Sequence, residues 1–220
     1  MKHQRELRIA SWILALGVSA PAFAADVAIK SWPLPPTTSP TGHYPHDAMV
    51  AEDGSIWYAA LNSNSLGRFD PRTETIEEVF ADIPDSGPHG LKQDDDGNIW
   101  FTAIKAEPTY IGMMNQKTGE FTEHPVTLDV FSPNVPRPRS AHSLSLDDRG
   151  YVWYTDFARG YLGRFDTKSE TWSEWPTPGG SGRDPMGWWQ WELTSGTTNR
   201  GRTPADWFVS TPRRRSSRAG

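Results

Sequence analysis

The sequence predicts an all-β fold built from repeats of four short strands, and three observations carry that expectation. A histidine stands eleven residues before a tryptophan three times along the chain: His46 and Trp57, His89 and Trp100, His142 and Trp153. A turn lies inside each interval, at Asp53-Gly54, Asp96-Gly97 and Arg149-Gly150. The composition agrees, because 19 glycines, 19 prolines and 11 tryptophans in 220 residues suit many short strands joined by turns, with aromatic side chains filling the layers between them.

The elements follow in chain order. Residues 1–24 read as a secretory signal peptide: Lys2, Arg5 and Arg8 form a basic start, Ile9 to Val18 is mostly apolar, and Ala22-Phe23-Ala24 offers small residues to a signal peptidase. The apolar run is too short for a permanent membrane span, so the mature chain is expected in the periplasm or outside the cell. Residues 25–180 are expected to hold a closing strand followed by three blades. The closing strand is Val27 to Pro33, because Ile29-Lys30-Ser31-Trp32-Pro33 resembles the fourth strand at Trp172-Ser173-Glu174-Trp175-Pro176.

Each blade then repeats one order. The first strand carries Pro45-His46-Asp47-Ala48-Met49, Pro88-His89-Gly90-Leu91 or Ala141-His142-Ser143-Leu144. The second carries Ile56-Trp57-Tyr58, Ile99-Trp100-Phe101 or Val152-Trp153-Tyr154. The third is Leu66 to Asp70, Ile111 to Asn115 or Leu162 to Asp166, and the fourth is Thr75 to Phe80, Glu120 to His124 or Thr171 to Trp175. The histidines are 43 and then 53 residues apart, the longer interval holding the proline-bearing loop Leu128 to Arg139. A four-stranded unit of that period is the blade of a β-propeller. One blade cannot bury both faces alone, so the Trp-Tyr and Trp-Phe pairs are expected in the core between blades.

The repeat stops after Gly180, and residues 181–220 have a different composition, with Trp188-Trp189-Gln190-Trp191 and Arg213-Arg214-Arg215. One reading is a disordered basic tail. The other is a shift of reading frame near Met186. Moved by two bases, the codons from Gly187 can encode a second-strand signature, and those for Trp207 to Arg218 a third and fourth strand. The recovered tryptophan falls one repeat after Trp153. On that reading the ring is incomplete and the chain is poorly stable.

Charge and cysteine content narrow the function classes. A net charge of −5 gives no support for nucleic-acid binding, and a chain with no cysteine has neither disulfides nor thiolate zinc sites. No phosphate-binding glycine loop or nucleophilic serine elbow is present.

Gly87-Pro88-His89-Gly90-Leu91, followed by Asp96-Gly97-Asn98-Ile99-Trp100-Phe101-Thr102 and Lys117-Thr118-Gly119-Glu120-Phe121-Thr122-Glu123, resembles the virginiamycin B lyase (streptogramin lyase) family. The resemblance implies a seven-bladed propeller that opens the ester of a cyclic depsipeptide antibiotic by elimination, without water, using Mg²⁺. The family's catalytic histidines and metal-binding glutamate lie in later blades. His46, His89 and His142 are therefore positional analogues, no metal ligand is assigned, and this chain alone is expected neither to bind Mg²⁺ nor to be active.

The residues can be weighed without the resemblance. First strands line a propeller's channel, so the three histidines should form part of a ring at one mouth. There a neutral imidazole can take a proton or ligate a metal. The other reading is architectural, with each histidine satisfying a turn and its neighbouring blade. His43 and Tyr44 would extend the rim, and His124 sits on an outer strand away from it. Asp156 follows Trp153-Tyr154-Thr155 and could cap a turn or reach a metal. Asp94-Asp95-Asp96-Gly97 lacks the spacing of a calcium loop and reads as a solvated turn. Arg68 and Arg164 recur with the repeat. Three functions fit: a lyase-like propeller acting on a cyclic peptide or lactone, a non-catalytic propeller binding a small molecule or partner, and a gluconolactonase-like hydrolase.

Overall fold

The computed structural model describes residues 28–80, 85–127 and 140–177. Regular structure among them is entirely strand. β1 (Pro45–Val50), β2 (Ile56–Ala60), β3 (Ser65–Asp70) and β4 (Thr75–Phe80) make the first antiparallel sheet. β5 (Pro88–Gln93), β6 (Ile99–Ala103), β7 (Tyr110–Met114) and β8 (Phe121–Pro125) make the second. β9 (Ala141–Leu146), β10 (Tyr151–Asp156), β11 (Tyr161–Asp166) and β12 (Thr171–Pro176) make the third. Each sheet keeps its strands in chain order, and each strand lies within a residue or two of its expected place. No helix among these residues is long and apolar enough to cross a membrane.

The chemistry of the repeat explains the sheets. In each first turn a glycine sits at positive φ, 81° at Gly54, 86° at Gly97 and 84° at Gly150, a conformation other residues adopt only under strain. Behind the turn, side chains on β2, β6 and β10 point alternately to opposite faces. Trp57 therefore shares one buried layer with Phe101 of the next blade, alongside Leu66, Leu91 and Ile99. Trp100 shares the following layer with Tyr154, alongside Ile111, Leu144, Val152 and Phe165. These are the expected interblade cores. β1 and β2 pack on β5, and β5 and β6 pack on β9. Burying each large aromatic contributes on the order of 2–3 kcal/mol.

The second aromatic of each pair lies across the third strand, and glycine there makes the space. A Cβ added to Gly67 would stand 1.8 Å from the Tyr58 ring, one on Gly112 2.1 Å from Phe101, and one on Gly163 2.0 Å from Tyr154. Beyond the glycine, the Tyr58 hydroxyl donates to Glu78 at 2.9 Å and the Tyr154 hydroxyl to Glu174 at 2.8 Å.

One expected element has no ladder partner among the described residues. Residues 28–33 carry no strand, so the closing strand placed over Val27 to Pro33 is not made among the described residues. A strand persists only with a ladder partner, and each of the three sheets already has its own fourth strand. Residues 28–32 belong to a unit separate from the blades. The signal peptide over 1–24, the loop Leu128 to Arg139 and the tail over 181–220 lie outside the described residues.

Candidate functional site

The same irregularity opens all three first strands. Pro45 faces Ala60, yet Ala48 faces Tyr58; Pro88 faces Ala103, yet Leu91 faces Phe101; Ala141 faces Asp156, yet Leu144 faces Tyr154. One extra residue is thus accommodated at His46-Asp47, His89-Gly90 and His142-Ser143. A β-bulge bends the strand and re-aims its side chains. Here it presents one histidine per blade at one level.

The three rings converge. His46 and His89 have centroids 3.7 Å apart, His89 and His142 3.8 Å, and His46 and His142 6.3 Å. The structure therefore brings together all three residues that sequence spacing placed at one register. Their surroundings differ. His46 is exposed, and its Nδ1 lies 2.9 Å from Asp47 Oδ1. With the carboxylate accepting from Nδ1–H, the Nε2 lone pair is left free. His89 is only 3% exposed, and its Nδ1 has no hydrogen-bond partner. Burial, then the neighbouring His142 and His46, push its pKa down to about 4, so the ring is neutral near pH 7. His142 is buried, with Nδ1 3.2 Å from the Ser143 hydroxyl.

Backbone chemistry supports the row. The Thr102 hydroxyl accepts from Gly90 N–H and donates to the His142 carbonyl, joining the second and third blades where the bulge leaves the ladder. The Thr155 hydroxyl accepts from Ser143 N–H. Two exposed aromatics flank the row: Tyr44 (58% exposed) lies 6.3 Å from His46, and Phe157 (45% exposed) lies 5.5 Å from His142.

Other expected positions resolve differently. Tyr44 extends the rim, but His43 does not. His43 is buried, with Nε2 2.6 Å from the Pro35 carbonyl oxygen and Nδ1 2.8 Å from Glu78, so its ring nitrogens are committed inside the first blade. His124 lies away from the row, its ring 5.6 Å from Trp100 and 4.6 Å from Phe165. Asp156 caps a turn: Oδ1 accepts from Arg159 N–H at 2.9 Å, and Arg159 also reaches Glu174 at 3.2 Å. The Asp94 turn is held by Asp94 itself, whose carboxylate accepts from Asp96 N–H, Asn98 N–H and the Trp100 indole. Arg68 pairs with Asp53 at 2.9 Å, whereas Arg164 lies over the Tyr151 ring at 4.4 Å. The repeat thus copies the arginine without its partner.

Sequence reasoning passed over Asp47, Thr102, Thr155 and Phe157. Asp47 had a signal, because the residue after the repeat histidine is acidic only in the first blade. His46, Asp47 and His89 form a cluster whose ligand atoms lie within 4.8 Å of one another. Mg²⁺ takes oxygen ligands in a near-ideal octahedron. Two imidazoles with one carboxylate do not fit it.

The fold is shared with solved propeller structures. A catalytically inactive variant of virginiamycin B lyase from Staphylococcus aureus, solved with quinupristin, matches with a TM-score of 0.57 and 23% identity over 70% of this chain and 47% of that one. The selenomethionine form of the Staphylococcus aureus enzyme gives 0.56 and 24% over the same shares. A streptogramin B lyase structure gives 0.52 and 23% over 62% of this chain and 41% of the other. The chain spans about half the length of the first two, and its three sheets correspond to part of a propeller ring. No family model matches the chain, and no curated protein does.

Proposed function

We propose that these blades belong to an exported lyase-like propeller whose histidine mouth engages a cyclic depsipeptide or related lactone. The observation that supports this reading is the convergence of His46, His89 and His142 from equivalent bulges of three successive blades. In the proposed reaction the His46 Nε2 takes a proton from the carbon beside a carbonyl. A carbon–carbon double bond forms as the adjacent carbon–oxygen bond breaks, and the ester leaves as a carboxylate. Asp47 holds the His46 tautomer and stabilises the imidazolium that results. His89, neutral and packed against His46, fixes the ring from behind. No step is assigned to Mg²⁺, because the donor set does not suit it.

The activity is a property of the whole protein, and this chain alone is expected to be inactive. The test uses the whole protein with a cyclic depsipeptide and mass detection. Elimination gives a ring-opened product of unchanged mass, whereas hydrolysis adds one water. Loss of turnover in His46→Ala, about 100-fold or more for a missing general base, is the expected result. Undiminished turnover, or a product heavier by one water, would sink the lyase reading.

A second reading has its own support in Tyr44 and Phe157, exposed aromatics on both sides of the row. They suit a propeller that binds a small molecule or cyclic peptide without cleaving it. Retained binding with no product from the whole protein would favour it.

A further inference from the structure

We infer that His46, Asp47 and His89 form a site for a divalent transition ion of the Zn²⁺ type, bridging the first and second blades. The placement comes from the bulges. His46 and Asp47 occupy the bulge of β1, and His89 occupies that of β5, the strand packed against it. Three ligand atoms from two separate sheets thereby lie within 4.8 Å of one another. A tetrahedral ion with bonds near 2.0–2.2 Å would space its ligands roughly 3.4 Å apart, so a small inward movement closes the set. His46 can supply that movement, since its side chain is exposed.

A second observation points to a ligand. The His89 ring is almost fully buried and aimed into the row, yet its Nδ1 has no hydrogen-bond partner. A buried nitrogen without a partner is costly, and a metal bond would satisfy it. The donor chemistry selects the ion class. Imidazole nitrogen suits Zn²⁺, Co²⁺, Ni²⁺ and Cu²⁺, while Mg²⁺ and Ca²⁺ prefer oxygen-rich cages. Three protein ligands, with His46 on the solvent side, leave a coordination position for water or a ligand carbonyl, the arrangement of catalytic rather than structural zinc sites.

The site requires no substrate, so its test is independent of the lyase reading; a bound ion takes the His46 lone pair that the proposed reaction uses as base, so the two uses exclude each other at any one moment. The full chain, without a histidine tag, is titrated with Zn²⁺ by calorimetry, and with Co²⁺ by visible absorption. The expected result is one ion per chain, a raised Tm, and the intense visible bands of tetrahedral Co²⁺. His46→Ala and Asp47→Asn alter exposed or half-exposed side chains and should leave folding intact. Each is expected to weaken Zn²⁺ binding at least tenfold, while His124→Ala, remote from the site, leaves it unchanged. The inference is overturned if Zn²⁺ does not bind, if Mg²⁺ binds as tightly, or if His46→Ala and Asp47→Asn bind like the unaltered chain.

Discussion

The first and third blades share one backbone plan and one aromatic layer, yet they differ at polar positions, three of them on or just before the second strand. Where the third blade has Asp147, Thr155 and Asp156, the first has Ala51, Ala59 and Ala60. The consequences are visible side by side. Asp147 accepts from Arg149 N–H, Tyr151 N–H and the Trp153 indole, the last at 2.9 Å. Ala51 offers nothing, and the buried Trp57 indole nitrogen has no partner. The buried glutamate behind the tyrosine also changes company, from His43 beside Glu78 to Arg159 beside Glu174. Apolar packing therefore makes a blade, and the polar latches are optional additions to it. The second blade is intermediate, with Asp94 and Thr102 but Ala103.

The comparison is tested most severely where the blades agree. Gly163→Ala and Gly67→Ala each drive a methyl into a tyrosine ring held on its far side by a glutamate. Each is expected to cost about 3 kcal/mol, the upper end for overpacking, measured as a shift in the urea midpoint. If one blade tolerates the methyl and the other does not, the shared aromatic layer is not what makes them equivalent.

Next come the latches. Asp147→Ala orphans the Trp153 indole and two amides, and should cost about 2 kcal/mol. The reverse change, Ala51→Asp, gives Trp57 the acceptor its two counterparts have and should gain about 1 kcal/mol. A gain in the first blade together with a loss in the third would confirm that the latch is transferable. A loss in both would show that the first blade has packed around its alanine.

The bulge contact is weaker. Thr155→Val keeps the volume but removes the acceptor for Ser143 N–H, an expected loss of about 1 kcal/mol. Ala59→Thr adds two heavy atoms at a fully buried core position, so any gain from the new acceptor is set against overpacking and no net stabilisation is expected. Urea midpoints of the two variants against the unaltered chain decide the matter.

The sequence made the blades legible because apolar period, turn glycine and aromatic pair are local and repeat together. His46, His89 and His142 were legible for the same reason: equal register in equal blades puts equal residues at one level. What could not be read was pairwise. His43 looked like a rim residue by position, but its partners Pro35 and Glu78 come from a preceding loop and from the far edge of the sheet. Asp47 gained meaning only from His89, a neighbour across the blade boundary, and a one-residue bulge leaves no mark in a hydrophobic pattern. The closing strand expected over Val27 to Pro33 is a related case: similarity to Trp172–Pro176 specifies a strand's chemistry and not its partner, and residues 28–33 carry no strand among the described residues.

A last effect distinguishes the blades by pH. Asp156 is fully buried, and burial raises its pKa from 3.8 to about 6 despite the Arg159 amide and guanidinium that favour its charge. Its counterparts Ala60 and Ala103 have no carboxyl to titrate. Because the folded value lies above the unfolded one, the folded chain holds its proton more tightly between about pH 4 and 6. The stabilisation this gives is complete below about pH 4 and is lost as pH rises through 6, a change of at most about 3 kcal/mol. Asn in place of Asp156 can still accept from Arg159 N–H but cannot ionise. The difference in urea midpoint between the unaltered chain and Asp156→Asn should therefore change across pH 4 to 6 and be flat above 7. A difference independent of pH would mean that Arg159 holds Asp156 charged throughout against the opposing charge of Glu174, and that the third blade's extra carboxylate is a full partner in its ion network.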